Sequence, residues 1–348
     1  MTCRDFIPLL VRNALPLPEQ VRLDAHLASC EACREAAELL RIDAPPEPAL
    51  VDGVELGSTV ENYRIDKLIG TGGMSLVYAA THAVTGHRVA IKLMRRELVA
   101  SAELVERFTR EASLVARLRG EQICRITTFG QLASGAPYMV LELLHGEDLH
   151  AVLERGPLTV PTVVDHVLQA CAGLAEAHAQ GIVHRDLKPA NLFVIARPDG
   201  SPLLKILDFG IAKLRFTSPD HLLTRTGARL GSLPYMAPEQ LRSSRTVDTR
   251  ADIWSLGVTL QQLATGELPF STRHSPADTA IRIWTDEPAP PHGVPPGLAD
   301  VVHACLAKDP RDRPGDVARL AAALAPFGGP RAIESSARVA RILEASAR

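Results

Sequence analysis

The sequence predicts an α+β chain: a two-lobed body, β-rich first and helical second, preceded by a small all-α module. Three observations carry that prediction. From Tyr63 onward, "YRIDKLI", "SLVYAAT", "RVAIKLM", "CRITTFGQL" and "PYMVLELL" have strand character, the first three separated by glycine-bearing turns. After Gly146 a helical period takes over, as in Val163, Val164, Val167, Leu168, Cys171 and Leu174. Between the front segment and the strands, "APPEPALVDGVELG" holds three prolines and two glycines and reads as a linker. Strands gathered before helices, rather than alternating with them, favour α+β layering.

The expected division is a helical module over 1–43, a Pro-rich linker over 44–62, a small lobe over 63–143, a large lobe over 144–327 and a helical tail over 328–348. The chain's 348 residues exceed one ordinary domain. At 46% hydrophobic residues, a sizeable core can form. A net charge of −2 gives no general attraction to nucleic acid or an anionic surface. No run reaches the roughly 20 apolar residues of a membrane span; Ile253–Gly266, uncharged over 14 residues, contains Gln and Gly. The first twenty residues, with Arg4, Asp5 and Arg12 spread through them, do not form a signal peptide. The expectation is a cytoplasmic chain with no membrane and no nucleic-acid partner.

Within the first lobe, "SAELVERFTREASLVARL" reads as a helix with Ser101 at its N-cap and Glu103 in its first turn. Its apolar stripe runs Leu104, Phe108, Val115 and Leu118, and Glu111 falls in register with it. A carboxylate on a buried face needs a cation. Lys92, at the polar end of "VAIK", is the obvious one. Only six lysines stand against 32 arginines, so each lysine invites a reason. "IGTGGMSLVY" places Gly70, Gly72 and Gly73 between two strands, where small residues let backbone N–H groups approach phosphate oxygens.

Further along, "HRDLKPAN" supplies Asp186 to orient or deprotonate an attacking hydroxyl, with Lys188 in reach of a transferring phosphate. A small strand–turn–strand, "LFVI", "ARPDGSP", "LLKIL", follows. Asn191 directly precedes it and Asp208 of "LDFG" directly follows. Antiparallel pairing brings those ends together, so both can offer Mg²⁺ the oxygen ligands it prefers. The tail "GGPRAIESSARVARILEASAR" reads as a solvated, Arg-bearing helix rather than a docking element.

"GTGGMSLVY", "VAIK", Glu111, "HRDLKPAN", "DFG", "MAPE", "DIWSLG" and "DPRDRP" occur in this order. Over residues 63–327 the chain resembles the eukaryotic-like Ser/Thr protein kinases of bacteria. The resemblance implies the two-lobed protein-kinase fold, ATP with Mg²⁺ (or Mn²⁺), and protein substrates. It implies that Ile69, Gly70, Thr71, Gly72, Gly73, Met74, Ser75, Leu76, Val77, Ala90 and Lys92 surround the nucleotide. Glu142 and Leu144 would form the adenine hinge behind a gatekeeper Leu141, and Asp148 would face the ribose. Asp252 would brace the catalytic loop, and Glu239 and Arg313 would pair. Ser232 would bond Asp186 or Lys188. Thr224 and Thr226 match positions phosphorylated in similar kinases, with Arg185 placed to receive the phosphate. Pairing of two copies through the small lobe belongs to the same resemblance.

The front segment carries Cys3 and, in "HLASCEAC", His26, Cys30 and Cys33. One straight helix would separate His26 from Cys33 by about 10.5 Å. Zinc bonds its ligands at about 2.0–2.3 Å. The chain must therefore break near Ala28 or Ser29 if all three bind one ion, with Cys3 as the fourth ligand. Residues 1–41 resemble the zinc-binding domain of anti-sigma factors, which implies Zn²⁺ and a sigma factor or other protein as partner. Cys124, Cys171 and Cys305 stand singly in apolar runs and read as buried small hydrophobes. The competing reading is a pseudokinase or anti-sigma-like scaffold whose main role is partner binding.

Overall fold

The first five runs read as strands, joined by one short strand that was not, form a six-stranded antiparallel sheet, ordered β1–β2–β3–β4–β6–β5. Its strands are β1 (Thr59–Val60), β2 (Tyr63–Thr71), β3 (Ser75–His82), β4 (Arg88–Met94), β5 (Ile126–Gln131) and β6 (Pro137–Glu142). The computed structural model describes Cys30 and residues 56–210, 231–242, 247–273 and 275–346. Glu55–Arg348 form one compact unit, distinct from Met1–Val54. β1 lies inside the segment expected to be linker. Its Thr59 and Val60 pair with Arg64 and Tyr63, and Val60 is buried, so an apolar β-branched residue gains both a ladder and cover.

Between β4 and β5 run α1 (Arg96–Val99) and α2 (Ala102–Val115). α2 buries Leu104, Phe108, Ala112, Val115 and, among them, Glu111, the stripe its period demands. Ser101 holds the N-cap position with extended backbone, but its side chain makes no capping bond.

The second lobe opens with β7 (Gly146–Asp148), α3 (Leu149–Leu153) and α4 (Val160–Ala179). β7 joins β8 (Leu192–Ala196) and β9 (Pro202–Ile206) in a small antiparallel sheet. The helices α5 (Pro238–Arg242), α6 (Arg250–Thr265), α7 (Pro276–Thr285), α8 (Pro296–Cys305), α9 (Val317–Leu324) and α10 (Ala332–Ser346) follow. Val163, Val164, Val167, Leu168, Cys171 and Leu174 of α4 are all buried. Cys124, Cys171 and Cys305 are buried too, and burial pushes the thiols of Cys124 and Cys305 up to about 12, which keeps them inert.

The tail corrects its expectation. α10 packs on α4 and α9, burying Ala332 and Val339, seven residues apart on one face. The apolar stripe is narrow and small, and the arginines around it hid it. Arg338 adds an ion pair to Glu121 at 2.7 Å.

Arg313 is fully buried and makes two bonds to Glu239, 2.7 and 2.8 Å, while also donating to the carbonyls of Ala307 and Arg250. Its guanidinium lies over Trp254, which stacks on Phe270. Glu239→Ala would strand a buried cation. An expected loss of about 3–5 kcal/mol follows, read as a lowered urea midpoint; a midpoint within experimental error of the parent would contradict it.

Candidate active site

β4 carries Lys92 between Ile91 and Leu93, both fully buried, so its stem is fixed in the sheet. Its Nζ lies 3.6 Å from Glu111 Oε1 and donates to Asp208 Oδ1 at 2.8 Å. Burial pulls the ammonium down, but the Asp208 and Glu111 carboxylates outweigh it and hold Lys92 charged, above its ordinary range. One cation thus joins a strand, a helix and the chain after β9. The pairing with Asp208 is the shorter of the two and was not anticipated from sequence.

The "HRDLKPAN" segment is held by a carboxylate from α6. Asp252 is fully buried; its Oδ2 accepts the His184 N–H at 2.9 Å and lies 2.8 Å from His178 Nε2, and its Oδ1 accepts the Arg185 N–H at 2.8 Å. Burial pushes that carboxyl up, yet the His178 hydrogen bond, the nearby imidazoles and the Arg185 N–H outweigh it and keep it below its usual range. Arg185 sits at φ 66°, a left-handed conformation uncommon outside glycine. His184 is buried, with Nε2 bonded to the Leu207 carbonyl at 2.8 Å and Nδ1 accepting the Asp186 N–H at 3.2 Å. Burial holds this imidazole below its usual range, consistent with a neutral ring that keeps both bonds.

From that base Asp186, Lys188 and Asn191 converge. Asn191 Nδ2 donates to the Asp186 carbonyl at 2.7 Å and to Asp186 Oδ2 at 3.0 Å. Lys188 Nζ lies 3.6 Å from Asp186 Oδ2 and donates to Ser232 Oγ at 2.8 Å. The small hairpin brings Asn191 and Asp208 together: Leu192 pairs with Ile206, and the Leu207 N–H bonds the Asn191 carbonyl at 2.9 Å. Gly210 then passes so close that a Cβ there would lie 2.9 Å from Asp186 Cβ and 3.0 Å from the His184 oxygen. Only glycine lets the chain through. Because Asn191 donates through its amide nitrogen, its oxygen is the end suited to a hard cation, and Asp208 adds carboxylate oxygen. The donor set fits Mg²⁺.

On the side where the sequence places the nucleotide, Val77 sits opposite Lys92 and Ala90 opposite Leu141 across the ladders. Ser75 and Leu76 are buried, and Ile69 is 46% exposed at the loop's approach. The turn between Thr71 and Ser75 differs from expectation in one respect. The Gly72 N–H donates to the Ser75 carbonyl at 2.8 Å, so it closes the loop rather than facing outward. Arg95, not singled out from sequence, donates to the Gly72 carbonyl and, through its N–H, to the Met74 carbonyl. It fastens the loop, with Gly73 at its tip, to the end of β4.

Leu141 lines an inner recess with Lys92, Glu111, Cys124, Asp208 and Phe209. Glu142 Oε1 accepts the Arg125 N–H at 2.8 Å and the buried Lys205 ammonium at 2.7 Å. Its carboxylate therefore anchors the strand end, and its own N–H is engaged as well, donating to the Arg125 carbonyl at 3.0 Å, which leaves the Glu142 carbonyl and the main chain of half-buried Leu144 for a ligand. Lys205 was also missed, although the scarcity of lysine pointed at it. Asp148 is corrected in part: Oδ1 caps α3 by accepting the His150 and Ala151 N–H groups, both at 2.9 Å, so that oxygen is committed to the helix. Thr224 and Thr226 lie outside the described residues, as do Cys3, His26 and Cys33; Cys30 is partly buried.

An antiparallel sheet set over a helical lobe, with a lysine–glutamate pair above an HRD loop and a DFG turn, defines the protein-kinase fold. Residues 63–324 match the family model "Protein kinase domain", and the chain belongs to the protein kinase family. Residues 2–34 match a second model, "Putative zinc-finger". The serine/threonine-protein kinase pkn3 of Myxococcus xanthus is 38% identical over 278 residues, covering 77% of this chain and 50% of that protein. Pkn1 of the same organism is 40% identical over 277 residues, covering 78% and 38%. PknB of Mycobacterium tuberculosis is 34% identical over 272 residues, covering 76% and 42%. The chain thus spans half or less of these relatives. The crystal structure of the Mycobacterium tuberculosis PknI kinase domain superposes with a TM-score of 0.60 at 26% identity, covering 79% of this chain and 99% of that one.

Proposed function

We propose that this chain transfers the γ-phosphoryl group of Mg·ATP to Ser or Thr hydroxyls of proteins. The observation that carries the reading is the Lys92 ammonium, held charged between Glu111 and Asp208 and set above Asp186, Lys188 and Asn191. Such a site works by positioning and charge neutralisation. Lys92 would hold the nucleotide phosphates. Asp186 would orient the acceptor hydroxyl and take its proton, while Lys188 meets the negative charge of the transferring group. Mg²⁺ or Mn²⁺, held by Asn191 and Asp208, supplies further neutralisation. Adenine would meet the Glu142 carbonyl and the Leu144 main chain beside Ala90 and Leu141. The named Ser/Thr kinases among its relatives support the choice of acceptor.

Autophosphorylation at Thr224 and Thr226 belongs to this reading. Arg185 Nη1 is buried and has no hydrogen-bond partner among the described residues, so it could receive a phosphate. Zn²⁺ held by Cys3, His26, Cys30 and Cys33 would fold a regulatory or partner-binding module, a reading supported by the match over residues 2–34. A sigma factor is one protein of the class such a module binds. Pairing through the small lobe and a cytoplasmic setting complete the reading. No helix among the described residues is long and apolar enough to cross a membrane.

Intact mass and peptide mapping of the whole chain and of Asp186→Asn, each incubated with Mg·ATP, test the proposal. The parent should gain phosphate at Thr224 and Thr226 and label an added protein substrate. Asp186→Asn should do neither. Equal incorporation by both would refute it.

A further inference from the structure

β5 is an outer strand of the six-stranded sheet and, among the described residues, pairs only with β6. Between it and the C-terminal end of α2 lies an open recess of about 290 Å³, lined by Ala116, Arg119, Arg125, Thr127, Thr128 and Phe129, among others. Arg119 and Arg125 are both exposed there. Their main chains are committed: the Arg119 N–H donates to Glu176 and the Arg125 N–H to Glu142. Among the described residues, neither guanidinium makes an ion pair or a hydrogen bond. Elsewhere this chain pairs its arginines readily, as at Arg155–Glu147, Arg197–Glu121 and Arg313–Glu239. Phe129 adds an aromatic ring that is 38% exposed. The ladder slips between Ile126 and Thr128, bulging the strand beside the recess.

An open strand edge invites pairing with any extended chain, and charged side chains are the usual guard against it. Two arginines without carboxylates repel a basic strand and give a neutral one nothing, but they reward an acidic one. We infer that the recess between α2 and β5 docks an extended acidic segment of a partner protein. That segment adds its backbone to the β5 edge, sets anionic side chains on Arg119 and Arg125, and covers Phe129. Main-chain bonds would give affinity and the two guanidiniums selectivity. The anions are carboxylates, the partners this chain gives its arginines elsewhere and a group a guanidinium fork accepts. α2 carries Glu111, so an occupant wedged against its end also bears on the helix that reaches Lys92.

The test needs no catalysis, so it stands or falls separately from phosphoryl transfer. Three fluorescein-labelled peptides of about ten residues are titrated into the whole chain by anisotropy. One alternates Glu with Val, one carries phosphoserine in place of Glu, and one carries Gln. The Glu peptide should bind about tenfold or more tighter than the Gln peptide, and a phosphoserine peptide that binds while the Glu peptide does not would overturn the choice of carboxylate. Arg119→Ala with Arg125→Ala should remove that preference, and hydrogen exchange at residues 125–129 should slow on binding to the parent. Should the double alanine variant fold poorly, Arg119→Glu with Arg125→Glu serves instead and should switch preference to a Lys–Val peptide. No binding, equal binding of the Gln peptide, affinity unchanged in the double variant, or protection confined to another strand would each overturn the inference.

Discussion

Lys92→Met should lower phosphotransfer turnover by about 10²–10³-fold, the usual scale for removing a preorganised charge from a transition state. Methionine nearly matches the lysine in length, and Ile91 and Leu93 on either side of it stay buried, so the strand should survive. What changes is the charge balance. Lys92 is the cation that faces both Glu111, 6% exposed, and Asp208. Without it the buried Glu111 loses this cation, and a buried carboxylate deprived of charge compensation tends to swing out or take a proton, while the half-exposed Asp208 can turn to water. α2 then loses this ionic tie to the sheet, and Asp208 the ammonium that fixes it near Asn191. Lys92→Arg should fare little better, because a planar fork cannot replace a compact ammonium between those two oxygens. The check is kcat and the KM for ATP in Lys92→Met, Glu111→Gln and the double variant. If the pair acts as a unit, the double variant should be scarcely worse than Lys92→Met alone. Turnover within threefold of the parent for Lys92→Met would discard the assigned role.

How much of this was legible beforehand depended on the kind of interaction. Glu111 stood out because helical period forces it onto a buried face, where a carboxylate is conspicuous. The approach of Asn191 to Asp208 followed from hairpin geometry alone. The Lys92–Asp208 bond joins residues 116 apart in sequence, and no local pattern encodes such a contact. Asp148, Glu142 and Gly72 illustrate a second limit. Each has a polar group that could serve either a ligand or the chain itself, and in each the chain's own N–H or C=O partners take part or all of it. Arg95 and Lys205 were overlooked because a lone basic residue in a strand or turn carries no period; only the contacts reveal what they hold. α10 went unread because its buried stripe consists of small residues, Ala332 and Val339, whose contribution comes from fit against α4 rather than from bulk. The left-handed backbone at Arg185 and Asp208 is likewise invisible in side-chain chemistry.

Asp252→Asn should separate scaffolding from chemistry in the catalytic loop. The carboxylate offers acceptor oxygens only, and three groups use them: the N–H of His184, the N–H of Arg185 and the His178 ring. An amide keeps one acceptor and turns an NH₂ toward one of those donors. A buried donor left unpaired costs about 1–3 kcal/mol, so the urea midpoint should fall. Turnover per folded molecule should fall as well, by about tenfold to a hundredfold, since a small displacement of Asp186 spoils its approach to a hydroxyl. The link is mechanical: Arg185 at φ 66° is strained, Asp252 Oδ1 holds its N–H, and Asp186 is the next residue. The pH dependence supplies an independent sign. Asp252's carboxyl is held below its ordinary value of 3.8, so its contribution is fully present above that pH and is lost as pH falls through the depressed value. The stability gap between parent and Asp252→Asn should therefore be constant near neutrality and close only in acid below 3.8. A gap that closes between pH 5 and 8 would assign the loss to a histidine instead. A variant that loses stability but keeps full turnover per folded molecule would make Asp252 a core residue without influence on Asp186.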